Sequence, residues 1–344
     1  MAKSNSPPRA DSAKTTPLVV IGASAGGGDA LSALLAQLSP DFPAPILIVQ
    51  HMAATASTAA QIRLLGRGSV LPCKAADDGE LPLPGHVYLP KPDHHLMLAG
   101  ERMRLTKGAR ENRARPAIDA LFRSAAVSHG NRVIGVILSG YLDDGTSGME
   151  AIHRCGGRCV VQDPQDASYP DMPQNVINNA RADHIVALAD MGPLLRKLAS
   201  RKHRKRKAVP ADVAIESRIA ERVLSDLESV EALGTLVPFN CPGCGGVLWE
   251  IGKAGQLRYR CHTGHAYTAG ELLAAQTEKM EETLWVALRM FEENRNLLVT
   301  MRADGGGGAY GERIDQSAIH IGRIRAMLNS GTSDPDAQAR VRRK

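Results

Sequence analysis

At 344 residues, with 43% hydrophobic and 3% aromatic side chains and a formal net charge of +6, the chain has a globular composition with mainly aliphatic cores, and it is long enough for two or three domains. No apolar run approaches a membrane span and the opening Met1-Ala-Lys-Ser-Asn-Ser-Pro-Pro8 lacks a signal-peptide core, so no membrane insertion is expected. Six cysteines are no disulfide framework in a chain of this length, and a cytoplasmic location is expected.

Residues 1–16 read as a disordered leader. The β-branched run Leu18–Ile21 then ends in the small-residue turn Gly22-Ala-Ser24-Ala-Gly-Gly-Gly28, and Leu31, Leu34, Leu35 and Leu38 follow on one helical face. This is strand, tight turn, helix. Three readings compete for the turn. A dinucleotide loop is weakened by Ser24 in place of the second glycine, and by a second strand ending in Gln50-His51 rather than an acidic residue. Gly22-x-Ser24-x-Gly26 also fits a nucleophile elbow, with a hydroxyl beside unpaired helix N-terminal N–H groups. The plain reading is a structural glycine turn.

Further on, Pro45–Gln50 is a second apolar strand, Thr55–Leu65 a helix, His86–Leu89 a strand, and Met97–Leu105 a small hairpin turning at Gly100. Pro116 opens a helix through Ser128. Val133–Leu138 is a strand, followed by the turn Ser139–Gly145 and a helix to Cys155. Cys159–Gln162, Met172–Ala180, His184–Leu188 and Met191–Ala199 repeat the alternation. Such a pattern predicts an α/β domain with a doubly wound, mostly parallel sheet. Ligands bind such sheets outside the carboxyl ends of the strands, which singles out Ser24, His51 and the pair Asp143–Asp144. A hydroxyl, an imidazole and a carboxylate at one edge are the set a Ser-His-Asp relay needs.

Five separated motifs carry a resemblance at this point: Ile21-Gly-Ala-Ser24-Ala-Gly-Gly27, Ile48-Val-Gln-His51-Met52, Arg115-Pro-Ala-Ile-Asp119-Ala-Leu-Phe-Arg-Ser124, Leu138-Ser-Gly-Tyr-Leu-Asp-Asp144-Gly-Thr-Ser-Gly148, and Val161-Gln-Asp163 with Asp171-Met-Pro173. Residues 17–199 resemble the catalytic domain of the chemotaxis protein-glutamate methylesterase (CheB-type) family. The resemblance implies hydrolysis of glutamate γ-methyl esters on chemoreceptor-type proteins, with deamidation of receptor glutamines in some members and no catalytic cofactor. It implies Ser24 as nucleophile, His51 as base, Asp144 as orienting carboxylate, and the backbone N–H groups of Ala25 and Tyr141 as oxyanion donors. Two positions depart from the family pattern: Ala25 stands where threonine is common, and Gly140-Tyr141-Leu142 stands for Gly-Met-Gly. The family's N-terminal receiver domain has no room here, so control by its phosphorylation within this chain is not expected. The rival reading is a non-catalytic signalling scaffold on a degenerate esterase fold.

Residues 200–235 read as a basic linker (Arg196 to Lys207 carries eight Lys and Arg residues) and a polar helix over Ile215–Leu233. Residues 236–268 hold Cys241-Pro-Gly-Cys244 and, about sixteen residues on, Cys261-His262-Thr-Gly-His265. That is zinc-ribbon spacing. Cys241, Cys244, Cys261 and His265 are the best tetrad for a structural zinc, with His262 the weaker fourth ligand. Clustered basic and interleaved aromatic residues are lacking, so no DNA partner is expected. Residues 269–344 carry two amphipathic helices around Gly305–Gly308 and a tail. They fit a helical hairpin, with pairing between two chains (a homodimer) as a further reading. Because the ribbon ligands lie in a separate segment, a chain ending near Ala199 is expected to stand alone, with the later module reaching the sheet edge through a flexible linker.

Overall fold

The computed structural model describes residues 16–53, 55–201, 207–222, 227–252, 257–303 and 309–330. Nearly all of the predicted leader lies outside the described residues. So do Lys202–Arg206 of the basic block and the glycine turn at 304–308.

The first strand, β1 (Leu18–Ala23), is buried throughout. Strand side chains alternate between faces, and here both faces are covered. Leu18 and Val20 enter one core with Leu121, Phe122, Met149 and Met172. Val19 and Ile21 enter another with Leu31, Leu34, Met191 and Leu195. In chain order there follow α1 (Gly27–Leu35), β2 (Ile46–Gln50), α2 (Thr58–Gly66), β3 (Cys73–Ala75), β4 (Val87–Leu89), the hairpin β5 (His95–Ala99) and β6 (Arg102–Thr106), and α3 (Ile118–His129). Then come β7 (Val133–Ile137), α4 (Thr146–Arg154), β8 (Arg158–Gln162), α5 (Asp171–Asn179), β9 (His184–Val186) and α6 (Leu188–Ala199).

Among the described residues seven strands form one sheet in the order β3-β4-β2-β1-β7-β8-β9, and every pairing is parallel. The chain steps outward from β1 in both directions, so the strand order reverses between β1 and β7. This is the doubly wound α/β fold expected, and the reversal opens a crevice at the carboxyl ends of β1 and β7. The short strand β3 went unread in the sequence. Only three residues long and half-buried, it has too few positions to show alternation.

Beyond α6 the structure departs from the sequence reading. The single polar helix expected over 215–233 is two, α7 (Ala211–Glu221) and α8 (Leu227–Glu231). A four-stranded antiparallel sheet follows: β10 (Gly234–Asn240), β11 (Val247–Ile251), β12 (Arg258–Cys261) and β13 (Ala266–Thr268). It does not hang on a free linker. Ile219 of α7 packs with Val230, Trp249 and Ile251, and Asp212 receives both guanidinium nitrogens of Arg154 at 2.7 Å.

A buried chain of charges does the rest. Arg123 of α3 pairs with Glu111, and Arg260 of β12 reaches Glu111 at 3.1 Å and Glu216 of α7 at 3.2 Å. Arg258 closes on Glu216. Arg123, Glu111 and Arg260 are each no more than 2% exposed. These pairs tie residues 17–199 to α7 and β12.

One compact unit runs to Glu271 and a second begins at Leu272. In the second, α9 (Ala269–Ala303) and α10 (Ala309–Asn329) pack Leu284, Leu288 and Phe291 against Ile321, Ile324 and Leu328. Arg325 pairs with Glu292 at 2.6 Å. This is the expected helical C-terminal region.

Breaking a buried ion pair by removing one partner costs about 3–5 kcal/mol. Arg260→Met therefore lowers unfolding stability of the first unit by that order in urea titration.

Candidate active site

Ser24 follows β1 in the turn before α1, where Gly26 takes φ 70. A side chain at Gly26 would meet Ser139 and Tyr169, and a Cβ at Gly140 would lie 2.9 Å from the Ser24 Cβ. The small residues of both turns are thus required by close approach. The Ser24 N–H donates to the Ser139 carbonyl at 3.0 Å, which fixes the hydroxyl at the crevice. His51 follows β2, and its own N–H donates to the Ala23 carbonyl at 3.0 Å. Asp144 lies in the turn after β7.

The three side chains meet. Ser24 Oγ is 3.2 Å from His51 Nδ1, and His51 Nε2 is 2.7 Å from Asp144 Oδ2. An ionised carboxylate only accepts, so the imidazole proton belongs on Nε2, and Nδ1 turns its lone pair to the serine. Asp144 is 2% exposed, and burial by itself pushes its carboxyl up. The His51 hydrogen bond and charge, the Ile118 N–H and Asn112 outweigh burial and hold it below the usual range.

Those donors come from the start of α3. Asp144 Oδ2 accepts from the Ile118 N–H at 2.7 Å and Oδ1 from the Asp119 N–H at 3.1 Å. Asp119 returns the arrangement at α4, accepting from the Gly145 and Gly148 N–H groups at 3.0 and 2.6 Å. Each carboxylate satisfies the orphan donors of the other's helix, where an anion is favoured. Burial and the Asp144 charge push the Asp119 carboxyl up. Asn112 donates to both carboxylates at 3.0 Å.

Ala25 and Tyr141 flank Ser24 on the two turns, and among the described residues neither backbone N–H meets an acceptor. The Tyr141 ring is half exposed and rests edge-on against Tyr169, ring centres 4.6 Å apart. Leu142 takes φ 64, and its carbonyl is held by Asn175 Nδ2 at 2.8 Å.

A pocket of about 390 Å³ opens over these groups, lined among others by Ser24, His51, Asn112, Tyr141, Asp144 and Glu271. Glu271 was not anticipated. Thr268-x-x-Glu271 reads as a capping box, and the Thr268 hydroxyl does accept the Glu271 N–H at 3.2 Å. The glutamate side chain instead turns into the pocket, 3% exposed. Its Oε2 accepts no hydrogen bond and faces Arg113 Nη1 at 3.8 Å. Burial, then the charges of Asp143 and Asp144, push its carboxyl up to about 7. Asp143 bonds outward instead, accepting from the Thr268 hydroxyl at 3.0 Å.

The second cluster lies on the ribbon. Ligand atoms of Cys241, Cys244, Cys261 and His265 all fall within 4.8 Å of one another, and His262 is not among them. Tetrahedral zinc with Zn–S of about 2.3 Å needs S–S edges of about 3.8 Å. Cys244 and Cys261 Sγ are 3.7 Å apart, and Cys261 Sγ lies 3.5 Å from His265 Nδ1. The Thr263 hydroxyl leans on the same atoms, 2.9 Å from Cys261 Sγ.

A parallel doubly wound sheet with a hydroxyl, an imidazole and a carboxylate in line at its switch point defines an α/β fold of hydrolase type. The family model for CheB methylesterase matches residues 19–195. The chain belongs to the CheB methylesterase family. A "protein-glutamate methylesterase/protein-glutamine glutaminase 4" of Myxococcus xanthus is 41% identical over 179 residues, which cover 52% of this chain and 50% of that protein. A protein-glutamate methylesterase/protein-glutamine glutaminase of Bordetella pertussis is 40% identical over 204 residues, 57% of each. The chain thus spans about half the length of the curated relatives it matches. Among solved structures, the catalytic domain of the Thermotoga maritima CheB methylesterase is 34% identical with a TM-score of 0.52, covering 54% of this chain and 99% of that one.

Glu271 supplies a test that needs no substrate. Its carboxyl is raised from the ordinary 4.5 to about 7, so the unfolded chain ionises first and stability falls as pH rises across that interval. Glu271→Gln removes the loss. The melting-temperature gap between variant and parent opens between pH 4.5 and about 7 and stays level above it.

Proposed function

We propose that this chain is a protein-glutamate methylesterase that acts on glutamate γ-methyl esters of a chemoreceptor-type protein in the cytoplasm, and on receptor glutamines as a second substrate. The observation that carries the reading is the line from Ser24 Oγ through both His51 nitrogens to a buried, ionised Asp144. Family membership supports it. Three side chains in contact also speak against a degenerate scaffold.

Ser24 Oγ attacks the γ-carbonyl carbon while its proton passes to His51 Nδ1. Asp144 holds the ring in the required tautomer and balances the imidazolium. The N–H groups of Ala25 and Tyr141 receive the oxyanion. The intermediate collapses, the C–O bond breaks, and the methoxide leaves as methanol with the proton from His51. A water then gives a proton to Nδ1 while its oxygen attacks the acyl carbon; the bond from that carbon to Ser24 Oγ breaks, His51 returns the proton to Oγ, and the glutamate side chain leaves as a free carboxyl group. With a glutamine substrate the leaving group is ammonia.

Cys241, Cys244, Cys261 and His265 are proposed to hold one structural zinc. Four protein ligands would close its coordination and leave no position for chemistry. Reduced thiolates of this kind suit a cytoplasmic protein. Pairing of two chains through α9 and α10 remains part of the proposal, read from their amphipathic pattern.

Methanol release from a methylated receptor fragment tests the reading. Ser24→Ala and His51→Gln each lower the rate by about 10³-fold or more, since members of a triad act as a unit. Asp144→Asn costs comparably and Asp143→Asn is mild. Equal rates for Ser24→Ala and the parent would refute the assignment. Metal analysis of the purified protein gives one zinc per chain, lost in Cys241→Ser; a metal-free parent would refute the zinc site.

A further inference from the structure

Asn112 belongs to neither the triad nor the ribbon, yet it is bonded to both. Its Nδ2 donates to Asp144 Oδ1 and Asp119 Oδ2, each at 3.0 Å. Its Oδ1 accepts the Thr268 N–H at 3.2 Å, and its own N–H donates to the Ala266 carbonyl at 2.8 Å. The carboxylates accept and the Thr268 N–H donates, so the network leaves one orientation for this amide.

Its backbone is as constrained as its side chain. Asn112 and Arg113 take φ 49 and 63. Two successive non-glycine residues in the left-handed region persist only where their surroundings over-determine them. Here the surroundings are the ribbon. Ala266 and Thr268 are β13. Glu111, one residue earlier, is gripped by Arg260 of β12.

These ties straddle the distal half of the cysteine–histidine cluster. Arg260 directly precedes Cys261, and Ala266 directly follows His265. The turn between them is closed by the Cys261 N–H on the His265 carbonyl at 3.0 Å and by Arg260 on the Gly264 carbonyl at 2.9 Å. A change in the 261–265 turn has little slack before it moves Arg260 and β13.

We infer that Asn112 is a positioning residue for Asp144 and His51, that β13 of the ribbon holds it in place, and that metal loading of the Cys241–Cys244–Cys261–His265 cluster thereby sets the turnover of the triad. The inference rests on the esterase reading above. Without metal the turn relaxes, β13 shifts, and Asp144 loses the donor that holds Oδ1. Oδ2 then no longer meets His51 Nε2 and the Ile118 N–H together.

The experiment uses the full-length chain with a soluble peptide carrying a glutamate γ-methyl ester. Asn112→Ala lowers kcat about tenfold to a hundredfold with KM little changed, as a misplacement of reacting groups does. Asn112→Asp keeps the acceptor for Thr268 but replaces the amide N–H donors, so its kcat falls as that of Asn112→Ala does. Stripping zinc with a chelator lowers the parent rate, and added Zn²⁺ restores it. In Asn112→Ala the link is already cut, and stripping adds little.

Parent-like kcat in Asn112→Ala or in Asn112→Asp overturns the inference. Equal loss on stripping in parent and Asn112→Ala also overturns it, because the ribbon would then act without Asn112. A second readout needs no turnover. In Ser24→Ala, the downfield proton resonance of His51 Nε2–H on Asp144 moves or broadens when zinc is removed; an unchanged resonance counts against the inference. A parent that releases no methanol, with this resonance still zinc-sensitive, refutes the esterase reading and leaves the coupling standing.

Discussion

The arrangement depends on one carboxylate kept ionised while almost fully buried. A lone Asp144 in that position would take up a proton. It stays charged because helix α3 begins there, offering two unpaired N–H groups and the positive end of its dipole, and because His51 donates from the other side. The helix start and the imidazole geometry are therefore one constraint. Asp119, in the first turn of α3, mirrors it at α4, so the starts of the two helices are tied to each other.

Cross-capping places a second carboxyl close to the first. Two such groups in one dry site repel, and the proton cost falls on Asp119, the one without an imidazole partner. Asn112 lies between them as a shared donor. A neutral amide with two N–H groups can serve both without adding charge, which neither lysine nor a further acid would do. The site's electrostatics thus require the strained 112–113 corner, and that corner requires the strands behind it.

The buried ion chain explains why a ribbon can carry that duty. Arg123, Glu111, Arg260, Glu216 and Arg258 alternate in sign from α3 to β12. Such a chain gives little net stability over apolar packing, but it is intolerant of a missing member. Its effect is registry: β12 sits in one place against α3, and the 107–115 loop is pinned between them.

The sequence by itself determined the doubly wound sheet, because the apolar runs are long, both faces need cover, and strand and helix alternate without break. It also singled out Ser24, His51 and the pair Asp143–Asp144, since each follows a strand that the pattern marks; the choice of Asp144 within that pair came from the family resemblance. The cysteine spacing of the ribbon was equally legible, being local. Other features were not. The three residues of β3 are too few to show a period. Arg260 and Glu111 are 149 positions apart, and charged residues in a sequence read as solvent-facing until a partner is known. Glu271 went unread, because no local signal tells that a glutamate at the start of a helix would enter a pocket lined by Ser24 and His51. Only the tertiary structure decided that the ribbon falls in one compact unit with the parallel sheet, because burial of like and unlike charges is a property of positions brought together by folding and leaves no periodic trace along the chain.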